Sequence, residues 1–275
     1  MTNEPLLRVD GLTVDYASAK GLSRAVQDVS FELGRNEVLG LAGESGSGKS
    51  TVAFAIARLH RPPAFVTGGS IRLDGVDVLR LEGEALRQWR WRAVSVVLQS
   101  AMNALNPLLT IQAQFADMFR IHGIRSKAEI RERSAELLRM VGIGPDRLRD
   151  YPHRFSGGMR QRIVIALALA LGPKLIIMDE PTTALDVVVQ RELLEEVTTL
   201  RRKLGFSILF ITHDLALMSQ FCDRIGVMLE GRLVEMGPPD QLIAAPSHPY
   251  TRKLWQSIPP LHPQTEPLRA LERTP

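Results

Sequence analysis

The amino-acid sequence predicts an α/β fold with three parts: a core built mainly on a parallel sheet, an N-terminal antiparallel β subdomain and an inserted α-helical subdomain. Short apolar runs at 38–42, 174–178 and 206–211 are typical of buried parallel strands, and helical patterns separate them. Short alternating segments fill the chain up to residue 33. Two helical patterns follow each other without a strand between 110 and 141, which indicates an insertion into the core.

Composition limits the class of protein further. The 275 residues are 45% hydrophobic and 23% charged, which is typical of a globular protein, and a net charge of +4 does not by itself indicate nucleic-acid binding. The single cysteine, Cys222, excludes an intrachain disulfide and a multi-cysteine metal site, and we expect it to pack in the core. Polar residues break the N-terminal segment at 3–10, and the longest apolar run, Ile163 to Leu171, is half a membrane span. We therefore expect a cytoplasmic protein that meets a membrane only through a partner.

The most specific motif is Gly-Glu-Ser-Gly-Ser-Gly-Lys-Ser at 43–50, which fits the phosphate-binding loop G-x-x-x-x-G-K-[ST]. It follows the predicted strand at 38–42 and precedes a predicted helix at 49–60, as that loop requires. Glycines let successive N–H groups turn toward phosphate oxygens, and the helix N-terminus adds partial positive charge. Lys49 would reach the β- and γ-phosphates and Ser50 would ligate Mg²⁺. The loop predicts a nucleoside-triphosphatase without saying which kind.

Elements before and after this loop carry two weaker candidates. Strands are predicted at 6–10, 12–16 and 25–33, followed by a hairpin at 69–79 with its turn at Asp74-Gly75. Tyr16 could stack on a nucleotide base or be an ordinary core or surface tyrosine. Gln99 ends the strand predicted at 93–98. A polar strand-end residue faces the ligand crevice of an α/β sheet, but a plain loop glutamine has the same pattern.

The second half of the chain adds a further anion site and a pair of acids. Ser156-Gly157-Gly158 opens an apolar helix, so its exposed N–H groups could bind an anion. The strand at 174–178 ends in Asp179-Glu180, and paired carboxylates there suggest Asp179 for Mg²⁺ and Glu180 as general base. Two solvated surface acids would be the alternative, and the apolar run directly before them argues against it. His213, at the end of the strand at 206–211, could contact a γ-phosphate.

The remaining elements are assigned from their start and stop signals. Ser126-Lys127-Ala128-Glu129 is a capping box that begins a helix at 126–141. Asp186 caps a helix that runs to Leu204 and closes at Gly205. A hairpin is expected at 225–236 and a short helix at 238–245. We expect the proline-rich tail from Pro246 to be ordered only in part, or against a partner.

In this order the motifs resemble those of the ATP-binding subunit of ABC transporters. The resemblance covers residues 6–245, with the helical subdomain at about 100–165, and it rests on the loop at 43–50, Gln99, the signature Phe155-Ser156-Gly157-Gly158-Met159, Asp179-Glu180, Ala184-Leu185-Asp186 and His213. Ser156 follows Ser50 by 106 residues. This leaves no room for the long coiled coil of DNA-repair ABC ATPases, and a single phosphate loop argues against the ribosome-associated type, which usually carries two.

A narrower resemblance is to the oligopeptide/dipeptide importer branch. It rests on Tyr151-Pro152-His153, the run at 158–162 and the tail motif Ser247-His248-Pro249-Tyr250-Thr251, which assigns 246–275 to an oligopeptide-transporter-type tail. Phe155 replaces the usual leucine, and Met159 replaces the general glutamine. Ser100 to Ala104 depart from the branch, which more often has an aspartate-proline pair there. Import of oligosaccharides or nickel by the same machinery, and an exporter ATPase, stay open as alternatives.

The resemblance implies Mg²⁺-dependent hydrolysis of ATP between two head-to-tail subunits. It implies Glu180 as the base, His213 at the γ-phosphate, Gln99 near the water, and Mg²⁺ held by Ser50, Gln99 and Asp179. It also implies two membrane permeases, a second ATP-binding subunit of the same or a different kind, an extracytoplasmic substrate-binding protein, no nucleic acid, and a place at the cytoplasmic face of the membrane. The implied nucleotide contacts are Tyr16, Gly43, Ser45, Gly46, Gly48, Lys49, Ser50 and Thr51, with Ser156, Gly157 and Gly158 acting in trans.

Overall fold

The computed structural model describes residues 4–19, 21–98, 104–182 and 185–256. The chain forms two compact units, one made of the residues up to Glu82 together with those from Ser207 onward, the other of Gly83–Phe206. The first unit carries an antiparallel sheet and parallel strands, and the second carries parallel strands and most of the long helices. The predicted α/β class, with its antiparallel and helical parts, is confirmed.

The antiparallel sheet of the first unit has the strand order β2-β1-β4-β5. Its strands are β1 (Leu7–Ser18), β2 (Gly21–Leu33), β4 (Ala64–Leu73) and β5 (Val76–Asp77). The prediction of two strands around Gly11 was wrong, because β1 runs through it. Gly11 has a φ of +59°, and the pairing of β1 with β2 shifts register between Val9 and Leu12, so a bulge takes the place of a break.

The parallel strands of the first unit lie around β3 (Val38–Ala42), which is buried at every residue. β3 pairs in parallel with β8 (Ser207–Ile211) and with β9 (Arg224–Leu229), and β10 (Arg232–Gly237) closes an antiparallel hairpin on β9. Burial on both sides explains the continuous apolar runs in these segments. Cys222 is buried, and it packs so closely on β3 that a Cβ added to Gly40 would lie 2.9 Å from the Cys222 Sγ. It is therefore a core residue, as expected.

Helix α1 (Lys49–Ile56) follows β3 and is shorter than the predicted 49–60. It ends because Arg58 has a positive φ of +56°, after which the chain turns toward the next strand. Leu59 was expected on the apolar face of this helix, but 38% of it is exposed to solvent. Val52, Ala55 and Ile56 are buried as the spacing predicts.

The second unit pairs two parallel strands and surrounds them with helices. β6 (Val94–Val97) runs parallel to β7 (Leu175–Asp179). The helices in the described part of this unit are α2 (Gly83–Trp89), α3 (Ile111–Ile121), α4 (Lys127–Met140), α5 (Gly157–Leu169) and α6 (Val187–Leu204). Short 3-10 turns occupy 145–149 and 152–154.

Helix ends in this unit follow the predicted capping signals. The Ser126 hydroxyl accepts a hydrogen bond from the amide of Glu129, and the carboxylate of Asp186 accepts from two amides at the start of α6. α6 ends at Gly205, whose φ of +73° is the left-handed cap conformation that favours glycine. Among the described residues of both units, no helix combines the length and hydropathy that crossing a membrane would need.

An ion pair joins helices α5 and α6 within the second unit. The Arg162 guanidinium lies 3.0 Å from the carboxylate of Glu196 and 3.7 Å from that of Glu192. Burial raises the pKa of Glu196, and the nearby Arg162 charge opposes that rise. This pair couples the helix that begins at the signature to the helix that begins at Asp186.

Between residues 212 and 256, the described C-terminal part of the first unit contains three further helices. α7 (Leu215–Phe221) lies between β8 and β9, and α8 (Pro239–Ala244) and α9 (Pro249–Gln256) follow β10. We expected the tail from Pro246 to be ordered only in part or against a partner. Residues 249–256 of this tail form α9, and residues of the same chain hold its start: the Glu235 carboxylate accepts hydrogen bonds from the amides of Ser247 and His248.

Candidate functional site

The loop at 43–50 closes around the ammonium group of Lys49. Lys49 Nζ donates to the carbonyl oxygens of Gly43 and Glu44, both at 2.8 Å, and to Ser47 Oγ at 3.3 Å. Lys49 is only 7% exposed and Ser47 only 5%. The positive charge is therefore held inside the loop, at the N-terminus of α1, where a phosphate would be attracted.

Two positions in the loop require glycine. Gly43 has a φ of +142°, and a Cβ there would lie 2.2 Å from the carbonyl oxygen of Met228. Gly48 has a φ of +100°, and a Cβ there would lie 2.6 Å from the carbonyl oxygen of Ala25. Both contacts are with backbone atoms, so a side chain at either position would displace the strands that surround the loop.

Residues distant in sequence also hold the loop. The amide of Gly231, in the turn between β9 and β10, donates to the Ser47 carbonyl at 3.1 Å, and the Gln27 amide donates to the Gly231 carbonyl at 2.7 Å. On another side the Glu44 amide donates to the Tyr250 hydroxyl at 3.0 Å. Sequence reasoning missed this contact, although it singled out the motif that contains Tyr250, since no local pattern connects that motif with the loop.

The first unit contains the predicted residues Tyr16 and His213 as well as the loop. β3 and β8 are parallel neighbours, so the loop that follows β3 and His213 that follows β8 lie at the same edge of the sheet. His213 is exposed, whereas the preceding Thr212 is buried. Tyr16 is a half-buried residue of β1, paired with Ser23 and Ala64 of the flanking strands.

Asp15, the residue before Tyr16 in β1, forms an ion pair with Arg24 of β2. Asp15 accepts hydrogen bonds from Arg24 at 3.0 Å and from the Thr67 hydroxyl at 2.6 Å. These hydrogen bonds, that from Arg24 above all, lower the pKa of Asp15. The pair fixes β1 between its two partner strands at the position where Tyr16 projects.

The two predicted acids of the second unit lie at the carboxyl end of β7. Asp179 is the last residue of that strand and is 6% exposed, and Glu180 follows it with a φ of +49°. A positive φ is unusual for a residue with a long side chain, and such strained positions cluster at active sites. Gln99, which was predicted beside them, lies outside the described residues, as does Ala184.

The signature residues lie at the N-terminus of α5, also in the second unit. Ser156 is exposed and caps the helix by accepting a hydrogen bond from the Met159 amide at 3.3 Å. Phe155 is buried, with the Arg147 guanidinium 4.4 Å from the centre of its ring. A Cβ on Gly158 would lie 2.8 Å from a methyl group of Val189, so the glycine allows α5 to approach α6 closely. The first turn of α5, Gly157 and Gly158, is half-buried beside the exposed Ser156.

A cavity of about 420 Å³ in the second unit lies elsewhere. Leu169 and Pro173 are among its lining residues, at the C-terminal end of α5 and just before β7. Both are at the ends opposite to the signature and to Asp179. The cavity is therefore not part of the predicted nucleotide site.

Comparison with known proteins agrees with the motifs. The family model of the ABC transporter matches residues 26–183. The chain belongs to the ABC transporter family. A second model, the C-terminal region of oligopeptide/dipeptide transporters, matches residues 234–275. As predicted, this ABC chain binds ATP and is an ATPase.

Several curated relatives of this ABC chain are named for transport of peptides or of peptidoglycan. A putative peptide import ATP-binding protein of Brucella abortus is 47% identical over 260 residues, which cover 94% of this chain and 78% of the relative. The peptidoglycan transport ATP-binding protein YejF of Agrobacterium fabrum is 47% identical over 259 residues, which cover 93% of this chain and 47% of that protein.

Solved structures show the same fold. The ATP-binding cassette MJ0796, a dimer in a post-hydrolysis state bound to ADP and Pi, is 28% identical and has a TM-score of 0.73. The alignment covers 85% of this chain and 98% of MJ0796. The oligopeptide/dipeptide C-terminal region has its own family match, and within it lies the tyrosine that contacts the phosphate loop.

Two glycines of the loop, Gly43 with backbone packed against it and Gly46 with open space beside it, give a matched test of the loop geometry. Gly43→Ala should lower the free energy of unfolding by about 3 kcal/mol or more, because the new Cβ meets backbone at 2.2 Å. Gly46→Ala should cost only about 1 kcal/mol, since Gly46 has a positive φ but no atom within 4 Å of that Cβ. Urea denaturation of the two variants measures both, and equal losses would contradict the described packing of the loop.

Proposed function

We propose that this chain hydrolyses ATP to power the import of peptides through a binding-protein-dependent ABC transporter. The observation that carries the proposal is that one chain contains both the ABC cassette and the C-terminal region of oligopeptide/dipeptide transporters. Relatives named for peptide import, at 47% identity over most of the chain, support the same cargo. We assign 6–245 to the nucleotide-binding domain and 246–275 to the transporter-specific tail.

Within that domain, the loop and its flanks would bind the nucleotide. Lys49 already holds its charge inside the loop, and α1 begins there, so phosphate oxygens would meet both the ammonium and the first amides of the helix. Tyr16 would stack on the adenine ring. The residues assigned to the phosphates are Gly43, Ser45, Gly46, Gly48, Lys49, Ser50 and Thr51.

Oxygen-bearing side chains suit the magnesium ion that accompanies ATP. Ser50 has an exposed hydroxyl at the start of α1, and Asp179 is an almost fully buried carboxylate, which fits the oxygen ligands that Mg²⁺ prefers. With Gln99 they form the proposed ligand set. The ion would supply positive charge toward the β- and γ-phosphate oxygens.

Hydrolysis would use Glu180 and His213. Glu180 would accept a proton from the attacking water, and its strained backbone conformation supports a functional role for it. His213 would hold the γ-phosphate, with Gln99 near the water. Catalysis of this type depends mainly on positioning and on charge that is already in place.

A second ATP-binding subunit would complete each site. Ser156, Gly157 and Gly158 present helix-terminal amides next to an exposed hydroxyl, which suits a phosphate held by the partner's loop. The dimeric state of the MJ0796 cassette supports this pairing. Closure of the two ATP-binding subunits on ATP would change the conformation of two membrane permeases. These permeases would receive substrate from an extracytoplasmic binding protein. The ATP-binding subunit would then lie at the cytoplasmic face of the membrane.

Peptidoglycan fragments are a second candidate cargo. The relative named for peptidoglycan transport is as similar to this chain as the relative named for peptide import. Such fragments carry short peptides joined to sugars, so both cargoes share peptide chemistry.

The base assignment is tested by Glu180→Gln. The variant should bind ATP with near-normal affinity, since the amide keeps the size of the side chain, but its kcat should fall by about a hundredfold or more because the water loses its base. Lys49→Ala is the contrasting control, and it should lose ATP binding itself. Steady-state ATPase assays with equilibrium ATP binding measure both, and near-normal turnover by Glu180→Gln would refute the assignment.

The cargo is tested with the transporter assembled from its permeases, both ATPase positions and the binding protein. We expect peptides to stimulate ATP hydrolysis severalfold over the basal rate, with muropeptides as the second test set. Stimulation only by plain oligosaccharides or by Ni²⁺ would contradict peptide import while leaving the ATPase assignment unchanged.

A further inference from the structure

The C-terminal tail reaches the phosphate loop through one side chain. Tyr250, in the His-Pro-Tyr sequence, accepts a hydrogen bond from the Glu44 amide at 3.0 Å across a separation of 206 residues. Both residues belong to the first unit, and Tyr250 is half-buried there. The contact connects the transporter-specific tail with the first residues of the nucleotide loop.

Both ends of a single peptide group in the loop are held. The group that joins Gly43 to Glu44 has its carbonyl oxygen 2.8 Å from Lys49 Nζ and its N–H bonded to the Tyr250 hydroxyl. Because the C=O and N–H bonds of a planar peptide group point in opposite directions, hydrogen bonds at both of them fix the direction of this axis and oppose a flip of the group. Lys49 holds this plane from inside the loop and Tyr250 holds it from outside.

ATP binding would remove part of the inner support. An ammonium group has three protons, and Lys49 directs its hydrogen bonds at Gly43 O, Glu44 O and Ser47 Oγ. A phosphate that binds Lys49 would compete with these acceptors for the protons of the ammonium group. The Tyr250 hydrogen bond is made by a different group and can persist, so the Gly43–Glu44 peptide keeps an anchor.

The tail is built to hold Tyr250 firmly. The Glu235 carboxylate on β10 accepts from the amides of Ser247 at 2.7 Å and His248 at 3.0 Å, and His248 Nδ1 accepts from the Tyr250 amide at 3.2 Å. Pro249 starts α9, where its fixed φ suits the first helical position, and Thr251 is fully buried. Each residue from 247 to 251 is thus tied to the fold or fixed by its own geometry.

Charge supports the same arrangement. Burial by itself raises the pKa of Glu235, but the Thr251 hydroxyl and the amides of Ser247 and His248 stabilise the charged form, and the net result is a lowered pKa. Glu235 is therefore ionised at neutral pH and holds the turn before α9 with a charged acceptor, which is stronger than a neutral one.

We propose that Tyr250 is a positioning residue of the phosphate loop: it holds the Gly43–Glu44 peptide group in the orientation that accepts ATP when Lys49 turns to the phosphates. The inference rests on the proposed role of residues 43–50 in binding those phosphates. Through the link from Glu235, the transporter-specific tail becomes a part of the nucleotide site. Loss of the hydroxyl leaves the Glu44 amide without this partner and allows the peptide group to turn.

The test uses the full-length chain and the variant Tyr250→Phe, which removes the hydroxyl and keeps the ring. Its affinity for MgATP and MgADP should fall about three- to tenfold, the effect of one lost hydrogen bond. In the assembled transporter its KM for ATP should rise by a similar factor while kcat changes less than twofold. A role confined to packing of α9 would lower the melting temperature without this separation of KM from kcat.

Amide exchange gives an independent readout. In the ATP-free chain, hydrogen–deuterium exchange in the peptide that contains Glu44 should be faster in Tyr250→Phe than in the wild type. Glu235→Gln, which weakens the support of the turn without touching the tyrosine, should shift exchange and affinity in the same direction but less. Lys253→Gln, an exposed change on the same helix, is the matched control and should leave both unchanged.

The outcomes separate this inference from the proposed function. Wild-type affinity and exchange in Tyr250→Phe, with Lys49→Ala still abolishing ATP binding, would overturn the role of Tyr250 and leave the loop assignment standing. Equal effects of Tyr250→Phe and Lys253→Gln would also overturn it, because the specific hydroxyl would then not matter. ATP binding that survives Lys49→Ala would overturn the loop assignment and this inference together.

Discussion

The buried ammonium of Lys49 is held by the carbonyl oxygens of Gly43 and Glu44 and by the Ser47 hydroxyl. A buried charge is costly unless polar groups surround it, so the loop must curl until its own carbonyls face inward. That curl needs the positive φ of Gly43 and Gly48 and brings their backbone against neighbouring strands. The strands must in turn be fixed, which the fully buried β3 and its parallel partners achieve.

In the second unit, buried residues likewise hold the candidate site residues in place. Glu180 has an unfavourable backbone conformation directly after the buried Asp179, and the five buried residues of β7 hold it there. The signature at the start of α5 is supported from behind by the packing of Phe155 under Arg147 and by the ion pair from Arg162 to Glu196. The half-buried Glu180 and the exposed Ser156 therefore both follow buried residues that hold them in place, which would suit catalysis by positioning.

Local signals made much of this fold predictable. Capping residues predicted both ends of α6, because a helix cap depends on a few adjacent residues. Continuous apolar runs predicted β3, β7 and β8, because a strand buried on both sides needs apolar residues at successive positions. Elements whose bounds depend on contacts with distant parts of the chain were harder to predict from the sequence. The bulge that carries β1 through Gly11 depends on pairing with two other strands, and the early end of α1 depends on a turn at Arg58.

The candidate site also contains some residues that local sequence patterns predict and others that only the folded chain brings together. The loop at 43–50 and the acids after β7 follow strands directly, so the sequence pattern was enough to predict them as site residues. The Tyr250 contact joins residues 206 positions apart, and only the folded chain shows it. The role of Gln99 remains a prediction, since that residue lies outside the described part of the chain.

We expect one chain to bind ATP with residues 43–50 and to need residues 156–158 of a second chain to cover the nucleotide. The most direct measurement is analytical ultracentrifugation of Glu180→Gln with and without MgATP, compared with Glu180→Gln/Ser156→Arg. We predict that MgATP drives the single variant to a dimer, whereas the double variant binds MgATP and stays monomeric. Dimers that form equally well in the double variant, or without nucleotide, would contradict the account.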